Sequence, residues 1–203
     1  ETEAQIVREQ FETAQLFPLA VRARLSGELV CYARSVVYSE WPKMQTGTLE
    51  DTGNPWTFAM FRITRTVNPR SAPEQAAYAK WLDQRTDREA ARADRTHGAE
   101  GVIPLPLWIV LLLSALIIFV FMLFFADSAE RAVVQATMMG GVAIVITSTL
   151  LLLLFLDRPY HSGPGGLRPV AMERTIQILD QQAAAFDQRL TIPCDERGEP
   201  SGG

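Results

Sequence analysis

Two charge-free apolar runs, separated by five residues, constrain this chain more than any other feature. Residues 105–126 and 132–156 make up 47 positions, of which 38 are apolar and none is Asp, Glu, Lys or Arg. Uncharged apolar stretches of roughly 18 residues or more read as membrane-spanning helices. The first run has 22 residues, and at about 1.5 Å per residue it reaches about 33 Å, enough for a hydrocarbon core of about 30 Å. The second has 25 residues and can cross with some tilt. Pro104 and Pro106 flank the start of the first run, where a missing N–H leaves no helical bond unmade. Asp127 closes it, and Asp157, Arg158 and Pro159 close the second and anchor it at the interface. The link Asp127–Arg131 is short enough to force antiparallel neighbours. The expected fold class is therefore an all-α integral membrane protein: a two-helix transmembrane hairpin over 101–158, with helical segments before and after it on one side of the bilayer.

The remaining 156 residues carry all 42 charges. The net charge of −4 argues against nucleic acid, whose partners are basic. Basic residues are 17 Arg against only Lys43 and Lys80, a skew that suggests a GC-rich coding sequence and a bacterium. Seven arginines lie near the outer ends of the runs (Arg85, Arg88, Arg92, Arg95, Arg158, Arg168 and Arg174), and Arg131 alone lies in the link. The positive-inside rule then places both charged segments in the cytoplasm, in the cytoplasmic membrane of a bacterium. Cys31 and Cys194 form no CxxC and no metal spacing, so they read as two reduced cytosolic thiols. His97 and His161 read as surface residues.

Residues 4–41 read as one long helical stretch bent near Pro18 and closed by Trp41 and Pro42, since the residue before proline leaves the α region. Asn54 and Pro55 have the chemistry of a helix start. Ser71 and Glu74 have the spacing of a capping box opening a helix to about Thr96. On that helix Arg85, Arg88, Arg92 and Arg95 recur every three or four positions. They read either as contacts to anionic headgroups or, with Asp83, Asp87, Glu89 and Asp94 interleaved, as a solvated face with pairs such as Arg85–Glu89. After the hairpin, 159–192 reads as a Gly/Pro-rich linker and an amphipathic helix whose stripe Met172, Ile176, Leu179, Ala183, Phe186 and Leu190 suits packing on the 4–41 helix. Residues 193–203 read as a disordered tail. Residues 1–17 look like the middle of a helix, so the chain is expected to be a piece whose start is trimmed.

No intramembrane acid, base or histidine occurs in the runs, which speaks against proton relays and ion-coupled carriers. Ala132, Ala136 and Gly140, with Gly141 following, make a small-residue face that lets another helix approach closely, within the hairpin or between subunits. No phosphate loop, nucleophile elbow or metal-spaced set is present. The expectation is thus no enzyme, no catalytic residue, no cofactor and no metal. The partners expected are the lipid bilayer and a second copy of the chain or a membrane-complex partner. The residues expected to matter are structural or interfacial: Trp41, Pro42, Ala132, Ala136, Gly140, Gly141, Asp157, Arg158 and Pro159.

Three stretches taken in order carry a resemblance: ELVCYARSVVYSEWPKM at 28–44, the arginine-rich approach to a proline-flanked run at 85–108, and LDRPYHSGPGGLRP at 156–169. Together they resemble the bestrophin-like domain family of bacterial and plastid membrane proteins. The resemblance implies four spanning helices, with an apolar pair ahead of Glu1. By analogy of fold with the true bestrophins, which are pentameric anion channels, it implies an oligomeric channel subunit whose pore helix lies outside this chain. The competing expectation is a membrane-anchored structural protein that docks a partner through its charged helices.

Overall fold

Proline and cap chemistry set the helix boundaries in a computed structural model that describes residues 1–49, 52–99, 101, 103–124, 132–187 and 189–201. Helix α1 (Thr2–Ala14) ends before Pro18, whose extended backbone starts α2 (Leu19–Ser35). The helical path then continues where the sequence led us to expect an end. A π-helical turn at Val36–Glu40 leads directly into α3 (Trp41–Thr46), and Glu40 and Trp41 keep right-handed helical geometry. Pro42 is therefore carried inside the path, and Trp41 does not close it. The wider π turn lets the chain pass a residue that lacks an N–H and would crowd the carbonyl four positions earlier. The true stop is Gly47, whose φ of 67° is left-handed.

Helix α4 (Pro55–Thr64) opens as its sequence predicts, with the Asn54 side chain accepting from the Trp56 N–H at 3.0 Å. Helix α5 (Ala72–His97) opens with the Ser71–Glu74 capping box in both directions. The apolar helices are α6 (Leu105–Phe124) and α7 (Ala132–Asp157), and α8 (Val170–Ala185) follows. The link Asp127–Arg131 lies outside the described residues.

The chain divides into two units. The charged unit combines 1–99 with 160–203, so the stretches before and after the apolar pair form one body around one core. Val7, Phe11, Leu25, Leu29, Tyr32, Met60, Trp81 and Leu179 are its largest fully buried apolar and aromatic side chains. Helix α8 lies on α1 and α2, with Met172, Leu179 and Ala183 buried as its stripe predicts. Phe186 lies beyond the helix end and is exposed. The apolar unit is 100–159. Helices α6 and α7 touch each other, yet no residue of either apolar window is buried.

The tail departs most from expectation. Its composition predicts disorder, but residues 189–201 are pinned to α2 and α4. Thr191 N–H donates to Ala23 O, Arg34 Nη1 to Asp195 O, and Trp56 Nε1 to Gly198 O at 2.9 Å. A disulfide joins Cys31 to Cys194 across 163 positions. The two cysteines are thus not free thiols. Each looks isolated in the sequence, and only the return of the tail onto α2 brings them together. Gly27 makes that return possible, because a Cβ there would stand 1.8 Å from the Thr191 carbonyl oxygen. A glycine-to-alanine change inside a helix normally gains about 0.5–1 kcal/mol. Gly27→Ala is expected to reverse that sign, lowering the melting temperature and speeding limited proteolysis between 189 and 201.

Candidate functional site

The core-facing stripe of α5 runs Ala77, Trp81, Gln84 and Arg88, all buried, and continues at helical spacing to Arg92 and Arg95. Three of the four arginines expected at a lipid or solvent face therefore point inward. Arg85 alone matches the solvated reading, paired to Glu89 at 2.9 Å and lying 4.3 Å from the Phe61 ring centroid. The stripe is apolar at one end and cationic at the other, so each inward cation needs a partner from another element.

Arg95 finds two. Its Nε and Nη2 donate to both oxygens of Glu3 on α1, at 2.6 and 3.1 Å, and Nη2 also donates to Glu40 Oε2 at 2.6 Å. Glu3 and Glu40 are 5% and 6% exposed, so these are buried ion pairs. Arg92 holds the other Glu40 oxygen at 3.0 Å and the Thr52 carbonyl. Asn54 Nδ2 donates to Glu40 and to Ser35 Oγ. Tyr32 OH donates to Glu3 at 2.6 Å. One cluster thus ties α1, α2, the π turn, the 52–54 loop and α5 together. Glu40 reaches it from the π-helical turn.

Burial works to raise the Glu40 carboxyl, but the charges and hydrogen bonds of Arg95 and Arg92 outweigh it and hold it below its ordinary value. Burial likewise opposes the charge on Arg95, and the two carboxylates override it, leaving its pKa raised. Tyr32 is pushed well up by burial and by neighbouring Glu3. The sign for stability follows. A depressed carboxylate stabilises above its unfolded pKa, and that stability is lost as pH falls through the lower folded value. The raised arginine keeps its full contribution throughout this range. Melting temperature is therefore expected to fall on acidification below about pH 4.5, the ordinary Glu value, and Glu40→Gln should flatten that fall.

Beside the cluster an open groove of about 930 Å³ is lined by Glu3, Trp41, Arg95, Tyr160, Leu167 and Arg168, among others. Trp41 and Tyr160 meet edge to face at 5.2 Å, and the Trp41 indole donates to Leu167 O. Trp41 thus joins the helix path to the chain after α7, in place of the helix-ending role expected for it, while Pro42 forms the first turn of α3.

The other expected residues belong to the apolar unit. Asp157 accepts from the Ile103 N–H at 2.7 Å and the Trp108 indole at 3.3 Å, which ties the start of α6 to the end of α7. Arg158 beside it is exposed, and Pro159 follows in a turn. Ala132 opens α7 and Ala136 lies a turn later. A Cβ at Gly140 or Gly141 would meet nothing within 4 Å, so α6 does not fill that small-residue face. The sequence reading missed Glu3, Glu40, Gln10 and Tyr32 as partners. The available signal was the continuation of the Ala77–Trp81–Gln84 stripe through Arg88, Arg92 and Arg95.

An all-helical chain with a charged helical unit and two helices apolar enough to span a bilayer defines a class of helical membrane protein. The family model for the Bestrophin-like domain matches residues 1–170, and the chain belongs to that family. No curated protein and no solved structure matches it.

Proposed function

We propose that the protein is a non-enzymatic, oligomeric, bestrophin-like subunit of a bacterial cytoplasmic membrane that takes part in an anion channel. The observation that carries this reading is family membership across 1–170 together with two apolar helices whose windows have no buried residue. Such surfaces need lipid on one side, and the open face at Gly140 and Gly141 admits a neighbouring helix. The charged unit draws on chain from both before and after the pair. A folded body lies on one side of a bilayer, which supports a hairpin that returns the chain to the side it left. Anion efflux from liposomes containing the full-length protein, with an oligomeric mass in detergent, is the expected result. Monomeric protein without flux would sink the reading.

A membrane-anchored interaction protein is the second reading, favoured by the open groove beside Trp41 and Tyr160. Orientation divides along two observations. The arginine asymmetry favours a cytoplasmic charged unit, whereas the Cys31–Cys194 disulfide suits an oxidising compartment. We adopt the cytoplasmic assignment, because the charge rule acts during insertion, before any pairing forms. A single cysteine introduced at Ser128 in the Cys31→Ala/Cys194→Ala background should react with an impermeant maleimide added outside the cell. Labelling only after the cytoplasmic face is opened would reverse the assignment.

A further inference from the structure

Among the described residues, the buried charges of the unit do not balance. Glu3 and Glu40 are matched by Arg95 and Arg92. Arg88 is a fifth buried charge, 1% exposed, and none of the described ion pairs includes it. Its guanidinium sits 4.7 Å from the Tyr32 ring centroid, and its Nη1 donates to Gln10 Oε1 at 2.5 Å and to Met60 Sδ at 3.4 Å. Neither acceptor is charged. Among the described residues its Nε and Nη2 have no partner, and neither does Gln10 Nε2. Gln84, 5% exposed and one helical turn before Arg88 on the same face, has both amide atoms without a partner among the described residues. Orphaned buried donors are costly, and an uncompensated buried cation is more so. Burial accordingly pulls the Arg88 pKa down. Its other charged neighbours are Glu3 on α1, already engaged by Arg95 and Tyr32, and Glu89 and Arg85 on its own helix, which pair with each other.

We propose that the α1–α5 interface binds one small monovalent anion, probed as chloride or bromide, held by Arg88 Nε and Nη2 with the amides of Gln10 and Gln84. The free donors outnumber the free acceptors and carry one net positive charge, which selects an anion over a cation. A single compensating charge suffices, which selects a monovalent ion over phosphate or sulfate. Bound inside the charged unit, the ion would be a structural part of that unit, and the inference does not rest on the channel reading.

The test uses the full chain in detergent at fixed pH and ionic strength, with sodium chloride exchanged stepwise for sodium gluconate. The expected result is a saturable rise in melting temperature with chloride, reproduced by bromide, as a ligand that binds only the folded state requires. Arg88→Met, which keeps the stem and removes the charge, should abolish the response, and Gln84→Leu should shift its midpoint to higher chloride. Identical melting in chloride and gluconate would mean that water fills the site, and would overturn the proposal. An undiminished response in Arg88→Met would also overturn it, by showing general salt action. Should Arg88→Met fail to fold, bromide anomalous scattering from wild-type crystals decides. A peak against Arg88 Nε and Nη2 supports the site, and none there refutes it. Flux measurements play no part, so failure here is distinguishable from failure of the channel.

Discussion

Arg95→Met is expected to be the most damaging single substitution in the charged unit, lowering stability by about 3–5 kcal/mol. Its guanidinium is shared between Glu3 and Glu40, so removing it takes from Glu3 its described ion pair and leaves Glu40 with Arg92 alone. The loss would consume much of the 5–15 kcal/mol that typically separates folded from unfolded states. Most of that cost is the stranded charge, because a buried pair in place contributes little beyond its own desolvation. Adding Glu3→Gln to Arg95→Met should recover most of the stability, since Glu40 keeps Arg92 and the Gln oxygen can still accept from Tyr32. Fluorescence of buried Trp56 and Trp81 during denaturation of the full chain in detergent would follow both variants. A double variant as weak as the single one would show that the cluster stabilises by attraction and not by avoiding stranded charge.

Local patterns were legible in the sequence wherever one segment decided the outcome. The apolar runs contain α6 and, to within one residue, α7, with residues 125 and 126 of the first run outside the described residues. The Ser71 capping box and the Asn54 cap need only their own neighbours, and both formed. The stripe on α8 told which face would be buried because one helix determines its own period. What escaped were features made by two distant segments. The pairing of Arg95 with Glu3 spans 92 positions, and no local spacing encodes it. The interleaved acids on α5 were misleading, since Asp87 is exposed on another face while the arginines turn inward. Trp41 and Pro42 end no helix, because a π turn carries the helical path through them into α3. The tail has a disordered composition, yet one disulfide and one indole hydrogen bond fasten it.

Replacing both cysteines by alanine is expected to carry the second-largest effect, a loss of about 2–5 kcal/mol, the usual range for removing a native disulfide from a small domain. The bridge closes a long loop, a separation of 163 positions, and long loops lose most entropy when closed in the unfolded chain. Cys31 is fully buried in the core, so a serine there would add an unpaired hydroxyl; alanine tests the bridge more cleanly. The other tail bonds, Thr191 to Ala23, Arg34 to Asp195 and Trp56 to Gly198, are hydrogen bonds that in the folded state contribute about 0.5–1.5 kcal/mol each. They cannot replace the covalent tie. The double-alanine variant should therefore lose its tail to proteolysis at 189–201 before the helices yield. Wild type denatured without reductant should present no reactive thiol, and two thiols after reduction, with a parallel fall in melting temperature. Two reactive thiols before any reductant would mean that the pair lies reduced in the native membrane. In that case reductant should leave melting unchanged, and the tail would be held by its hydrogen bonds and by the fit of Thr191 over Gly27.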